Sequence, residues 1–384
     1  MNERKLKAWV DGGVIDAEAA ARIRTWEAAH ARPLALWAVI GIGALAIGLG
    51  IVLVVAANWD DIPAMVRLGI HLALVAAALG LAWWQGDRLR DRNPWIEEGL
   101  LFVIGALGLS FFAHLGQAYQ TTSPLWQPLL TWLALLGPLL LLRGQSWLTA
   151  LALMLAMGGA AISYASGGYD TLDGRWSGPS PDEVAIVTSL PLLAAGLGAL
   201  LRLSPGREVM GLRIEQLGMI YAVGMASLMA IGIYGWGSGS DGGDPDYGAG
   251  PLGLRAAVLL AGAAIVFLVH RAASGKAAAA VLAGAAAIVL LSGPAEGQTA
   301  FAAILFIALW AGVAAASIHG GWRATFQVAV AMVALRLIVL SFEFDDDLLG
   351  SGLGLIASGV MILGVAWAAV VIARRYAPPR EASA

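Results

Sequence analysis

The chain has 384 residues, of which 59% are hydrophobic and 13% charged, with a net charge of −3, and its mean hydropathy is +0.77. A soluble domain carries about twice that share of charge, so the composition excludes an ordinary water-soluble fold and favours a protein that spans a membrane many times. Without a basic patch, nucleic acid is not expected as a partner. Without cysteine, disulfides and thiol chemistry are excluded.

The first 32 residues predict a small cytoplasmic segment of amphipathic helices. Leu6 lies on the apolar face of a short helix that Gly12 and Gly13 interrupt, and Asp16 is placed to cap a second helix. Such a segment either packs as part of the structure, lies on the membrane surface or binds a cytoplasmic protein partner. The sequence leaves these roles open.

Apolar runs long enough to cross a bilayer recur from Pro33 onward, since about 20 helical residues span its core. We count twelve, and expect an all-α polytopic membrane protein. The runs lie near 34–57, 64–84, 97–116, 125–142, 146–165, 184–203, 214–235, 253–271, 276–292, 298–318, 323–341 and 350–373.

The positions of the basic residues support this count. If the N-terminus is cytoplasmic, 19 of the 23 Lys and Arg residues fall in segments on the cytoplasmic side, while acids gather on the other side. The positive-inside rule therefore predicts both termini in the cytoplasm. The four exceptions are Arg67, Arg175, Arg255 and Arg336. Longer outer loops are expected at 166–183 and 236–252.

Short matches in the same order suggest that two halves of the chain repeat. Pro63–Arg67 opens the second predicted helix and Pro251–Arg255 opens the eighth. A six-helix unit repeated in parallel gives this pattern, which is common in transporters. The predicted parts are a segment at 1–32, a first half at 33–205, a second half at 206–376 and a tail at 377–384.

Polar residues that sit within or beside the predicted helices gather toward the outer face. Ionisable residues inside a membrane are costly and usually face protein or a water-filled cavity. An outward-facing polar cavity is therefore our candidate ligand site, and no catalytic residue is assigned. The candidate residues are Asn58, Trp59, Asp60, Asp61, Arg67, His71, His114, Gln117, Tyr119, Arg255, Arg336 and Glu343.

Each candidate also has a purely structural interpretation. Asp61 can cap the helix that follows Pro63, Arg67 can pair with a nearby acid, and His71 and His114 can be packed, hydrogen-bonded histidines. Trp132 fits an aromatic belt at the membrane interface as well as it fits a binding pocket. No ligand set has the spacing of a metal site, so neither a metal nor a cofactor is expected.

Two stretches resemble a known family. The N-terminal pattern around Trp9-Val-Asp-Gly-Gly-Val-Ile15 and the later Ala57-Asn58-Trp59-Asp60-Asp61-Ile62-Pro63 resemble a bacterial membrane family called domain of unknown function 2157. The resemblance covers roughly the first 120 residues and implies a location in the bacterial inner membrane and a multi-spanning architecture, not chemistry. The major facilitator superfamily also has twelve helices in two halves, but Gly86–Arg92 lacks the spacing of its loop motif and is better explained as a positively charged inner loop.

Three functions remain open from the sequence. The leading one is a membrane protein that binds or transports a small anionic solute or lipid headgroup, with arginines attracting the anion and His71 and His114 relaying protons. The second is an intramembrane enzyme acting on lipid-linked substrates, although the familiar enzymatic motifs are missing. The third is a membrane sensor or scaffold that uses residues 1–32 to bind a partner.

Overall fold

The computed structural model describes residues 6, 9–30, 46, 62–119, 123–166, 169–170, 176–177, 180–231, 249–293, 299–343 and 352–378. Two compact units make up the chain, Met1–Arg67 and Leu68–Ala384.

The described residues of the first unit include the helix α1 (Ala17–His30). Asp16 caps it, because its Oδ1 accepts a hydrogen bond of 2.6 Å from the backbone N–H of Ala19, and the predicted cap is confirmed. Before it, Gly13 has a φ of 67°, a left-handed conformation that glycine adopts without strain. Partner binding by this segment stays a prediction.

The second unit is a helical bundle. Helix α2 (Ala64–Arg92) begins in the last four residues of the first unit and continues into the second. The helices that follow are α3 (Pro94–Tyr119), α4 (Trp126–Arg143), α5 (Trp147–Ala165), α6 (Pro181–Ser189), α7 (Leu193–Leu201), α8 (Glu208–Ala230), α9 (Ala249–Val269), α10 (Ala273–Ser292), α11 (Thr299–Gly320), α12 (Arg323–Glu343) and α13 (Gly352–Tyr376). A two-stranded antiparallel hairpin, β1 (Tyr169–Asp170) and β2 (Trp176–Ser177), precedes α6.

Ten helical segments of the described residues are long and apolar enough to cross a membrane. The predicted all-α membrane architecture is therefore confirmed, and ten agrees roughly with the predicted twelve. The first predicted run, 34–57, lies outside the described residues except for residue 46. Short turns join α2 to α3, α4 to α5, α7 to α8, α9 to α10 and α11 to α12. These turns gather most basic residues at one end of the bundle, which we call the basic side.

Helix α8 lies at the centre of the bundle, and this enclosed position explains why the helix begins earlier than predicted. It packs against α5, α7, α10 and α11, and its residues Ala222, Ala226 and Met229 are buried. The predicted run began at residue 214, whereas the helix begins at Glu208. Hydropathy assumes that lipid surrounds each helix, but neighbouring helices enclose α8 and compensate its charges.

Two further boundaries differ from the sequence prediction. The run 184–203 is not one continuous helix, because Pro191 lies in a 3₁₀ turn, Leu190–Leu192, that separates α6 from α7. The predicted inner loop Gly86–Arg92 is instead the last two turns of α2. Two of the charges there are paired with neighbouring helices, Arg90 with Glu97 of α3 and Asp87 with Arg143 of α4, which allows the helix to continue through them.

A close crossing of α7 and α8 depends on glycine. A Cβ atom on Gly211 would lie 2.6 Å from the carbonyl oxygen of Gly198, and one on Gly218 would overlap the backbone of Ala195. Small residues allow helix backbones to approach closely in membranes. This crossing places the start of α8 directly against the end of α7.

Candidate functional site

The two predicted histidines meet in the structure. His71 lies on the second turn of α2, His114 lies near the end of α3, and their Nδ1 atoms are 2.7 Å apart. The ring centroids are 4.9 Å apart and the rings are nearly perpendicular, at 83°. His71 is 7% exposed. The pair lies toward the end of the bundle opposite the basic side.

The neighbouring groups define which nitrogen carries a proton. Nε2 of His71 is 2.9 Å from the carbonyl oxygen of Leu107, which only accepts, so Nε2 donates. A neutral His71 therefore has an unprotonated Nδ1, and Nδ1 of His114 donates to it. One proton is thus shared between the two facing nitrogens.

The surroundings of the pair do not favour a serine nucleophile. Ser110 Oγ is 3.4 Å from His71 Nε2 and donates instead to the carbonyl oxygen of Leu107, at 3.2 Å. Because Nε2 already carries a proton, it cannot serve as the base for this hydroxyl. The described residues also contain no group of three or more side chains suited to a metal ion.

The other predicted site residues lie in several places. Gln117 and Tyr119 are exposed on the last turns of α3. Arg67 is half-buried on α2, at the end of the first unit. Asn58, Trp59, Asp60 and Asp61 lie outside the described residues, as does the side chain of Glu343.

The two remaining arginines are buried in the second half of the bundle. Arg255 on α9 is 0% exposed and donates from Nη2 to Thr188 Oγ1 of α6, at 3.3 Å. Arg336 on α12 is 7% exposed. In the described part of the chain α9 packs mainly on α6, α7 and α10, and α12 on α11 and α13. Neither arginine therefore lies on a helix that packs closely on α2 or α3.

Trp132 is a core residue and not part of an interfacial belt. Its side chain is 4% exposed, and its Nε1 donates to the carbonyl oxygen of Gly105 at 2.8 Å. The sequence alone could not distinguish the two roles, because an amphipathic indole suits either. The belt interpretation was wrong for this residue.

A charged network on the basic side was missed by the sequence analysis. Glu97 at the start of α3 accepts from Arg143 Nε at 2.9 Å and from Arg90 Nη2 at 3.1 Å, and it also contacts Arg90 Nε. Arg143 Nη2 reaches Asp87 at 2.5 Å. Gly86 leaves room for this guanidinium, since a Cβ there would lie 2.5 Å from Arg143 Nη2. The network ties α2, α3 and α4 together.

Glu98, the next residue, accepts hydrogen bonds from the start of α5. Its Oε1 accepts from the backbone N–H of Gln145 and, at 2.9 Å, from that of Ser146, and its Oε2 accepts from Thr149 Oγ1 at 2.6 Å. Gln145 and Ser146 immediately precede α5, with Ser146 as its N-cap, and Thr149 lies in its first turn. Glu98 therefore fastens the start of α5 to α3.

Arg207 lies beside the same network, in the turn between α7 and α8. Burial lowers the pKa of Arg207, and repulsion from Arg90 lowers it further, while attraction to Glu97 opposes both effects. Its Nη1 is 3.4 Å from the carbonyl oxygen of Leu141. An arginine remains charged at neutral pH despite such a shift.

A third buried carboxylate, Glu215, links α7, α8 and the turn that follows α9. Glu215 Oε2 accepts from Arg202 Nη1 at 2.9 Å, and His270 Nδ1 lies 3.6 Å from the same oxygen. Arg202 Nη1 is also 2.9 Å from His270 Nδ1. Because arginine only donates, that nitrogen of His270 accepts, and His270 is neutral in this arrangement.

One sequence signal could have located both clusters. Glu97, Glu98 and Glu215 stand on the side where basic residues predominate. An acid on that side, next to or inside an apolar run, can be buried only if a basic residue pairs with it. Counting basic residues alone concealed this requirement.

The comparison with protein families matches residues 7–149 to a family described as "Predicted membrane protein (DUF2157)". The resemblance inferred from the sequence is confirmed over that range. The description agrees with the ten apolar helices and names no activity. No match was found among curated proteins or solved structures.

Proposed function

We propose that this multi-spanning membrane protein binds a small anionic solute or a lipid headgroup together with a proton, at the pair formed by His71 and His114. The observation that carries the proposal is the 2.7 Å separation of their Nδ1 atoms. The facing nitrogens need only one proton for their hydrogen bond. A further proton on His114 leaves that bond in place and makes it charge-assisted, and therefore stronger.

The positive charge gained in this way requires a nearby negative charge. His71 is buried and packs edge-on against Phe111, with ring centroids 5.6 Å apart. An uncompensated charge in such an apolar setting is costly. An anion that binds beside the pair offsets this cost, so anion and proton each increase the affinity for the other by the same factor.

A thermal-stability screen on full-length protein in liposomes tests this proposal. The probes are inorganic phosphate, small organic carboxylates and phosphatidylglycerol, at about pH 5.5 and about pH 8, either side of the usual histidine range. We expect at least one anion to raise the unfolding midpoint more at the lower pH. His71→Gln and His114→Gln should remove that shift, and Arg92→Gln, at an exposed arginine of α2 on the basic side, should keep it. Full shifts in both pair variants would refute the proposal.

The proposal extends to the three arginines that the sequence placed in the site. Arg67, Arg255 and Arg336 would favour entry of an anion through their positive charge. Arg255 is fully buried. Because a buried charge in a membrane protein is costly, its presence supports a functional role for this arginine. Loss of the anion-induced shift in Arg67→Ala or Arg336→Ala would support this extension, and unchanged shifts in both would remove the arginines from the site.

We also propose that the basic side faces the bacterial cytoplasm, with both termini there, and that the two halves form a parallel repeat. Charge placement supports the orientation. Because the chain lacks cysteine, single-cysteine variants can be labelled directly in intact cells. An impermeant thiol reagent should label Ser123→Cys and should label Asp91→Cys only after the cells are opened. The reverse labelling pattern would show that the basic side faces away from the cytoplasm.

A further inference from the structure

A groove of about 630 Å³ runs along the outside of α10 and α11, away from the histidine pair. Lys276, Gly284 and Ala287 of α10 line one wall, and Ala308, Gly312 and His319 of α11 line the other. All six residues are exposed. Both helices are apolar and long enough to cross the membrane, so the groove opens toward lipid.

Each wall of the groove ends in a basic residue on the same side. Lys276 lies one turn inside the start of α10 and His319 lies one residue before the end of α11. His319 Nδ1 donates to the carbonyl oxygen of Ala315 at 2.9 Å, which fixes its ring. Arg271 and Arg323 flank these helices, and the sequence of residues 271–323 contains a single acid, Glu296, which lies outside the described residues. One end of the groove is therefore positively charged and the rest is apolar.

The length of the groove corresponds to one lipid leaflet. Lys276 and Ala287 are eleven residues apart along α10, which is about 17 Å at 1.5 Å per residue. Half of the hydrocarbon core of a bilayer is about 15 Å. An acyl chain of one leaflet can lie along the small side chains while its headgroup stands beside Lys276.

We infer that this groove binds an anionic phospholipid, with an acyl chain along the Ala and Gly walls and the phosphate at Lys276 and His319. Basic pockets between membrane helices suit such headgroups, and a lysine stem can reach toward the interface. A second copy of the chain fits less well. A symmetric dimer through this face would bring Lys276 and His319 of both copies to the same side, where their charges repel.

Native mass spectrometry of the full chain tests this inference, with dioleoyl phosphatidylglycerol and dioleoyl phosphatidylcholine as probes. We expect the wild type to bind phosphatidylglycerol more tightly. Lys276→Gln should reduce that affinity about fivefold, the usual effect of one basic residue near anionic lipid. Arg92→Gln removes the same charge on the same side of the bundle, at an exposed arginine of α2 that does not line the groove, and should change the affinity less than twofold.

Filling the groove provides a second, independent test. A Cβ on Gly284 or Gly312 would meet no atom within 4 Å, so Gly284→Leu and Gly312→Leu occupy the groove without disturbing the fold. Both should lose the bound lipid, whereas Gly364→Leu, at an equally open position of α13, should keep it. Lipid binding that survives both groove variants would overturn the inference. So would a dimer that Gly284→Leu dissociates while lipid binding is unchanged, because the groove would then hold a second copy.

Discussion

Arg202 donates from Nη1 to Glu215 Oε2 at 2.9 Å, and the carboxylate side chain that receives this bond is 4% exposed. The pair forms where α7 and α8 cross most closely, at Gly198 and Gly211. The crossing explains how a glutamate can lie within a helix at the centre of a membrane protein. The helix is surrounded by protein, and its charge has a partner on the adjacent helix.

Removing the carboxylate should destabilise the bundle. Glu215→Ala leaves Arg202 without its main counter-charge, and breaking one side of a buried ion pair costs about 3 kcal/mol. The free energy of unfolding in detergent, from denaturant titration, measures this effect. Asp91→Ala, at an exposed acid on the same side, is the control and should change it by less than about 0.5 kcal/mol. Equal losses in the two variants would show that Glu215 has no special role.

Arg143 should not tolerate replacement by lysine. Its guanidinium bonds Glu97 and Asp87 through different nitrogens, which a single ammonium group cannot reproduce. We expect Arg143→Lys to lose about 1.5–3 kcal/mol, the value of a charged hydrogen bond. Arg92→Lys, at an exposed arginine of α2, should be neutral in the same titration. A neutral Arg143→Lys would contradict the network.

The crossing of α7 and α8 should be sensitive to one methyl group. A Cβ on Gly218 would overlap the backbone of Ala195, whereas a Cβ on Gly224 of the same helix meets nothing within 4 Å. Gly218→Ala should therefore lower stability by about 1–3 kcal/mol. Gly224→Ala should be neutral or slightly stabilising, because alanine favours a helix. The ratio of folded to aggregated protein after mild heating compares them. A Gly218→Ala variant as stable as Gly224→Ala would refute the close approach.

The sequence predicted well the bounds of helices that are set by the surrounding lipid. The runs 276–292 and 323–341 agree with α10 and α12 to within three residues, because hydropathy and charge placement mark where a helix leaves the membrane. The cap at Asp16 was also predictable, since it depends only on adjacent residues.

The sequence did not predict features that depend on neighbouring helices. The start of α8, the paired Glu97 and the buried Trp132 all follow from contacts between residues far apart in the chain. His71 and His114 were both candidates. They are 43 positions apart in the chain, so the sequence could not show that their side chains meet when α2 and α3 pack. The predicted single cavity remains a prediction, since four of its residues lie outside the described residues.

Proton uptake on anion binding tests the central claim most directly. In a weakly buffered suspension near pH 7, an anion that stabilises the protein in the thermal screen should cause the wild type to take up protons, at most one per anion bound at the pair, since the pair accepts one more proton without losing its shared bond. His114→Gln should take up none at the same anion occupancy. Equal uptake by the wild type and by His114→Gln, or anion binding without any uptake, would contradict the account.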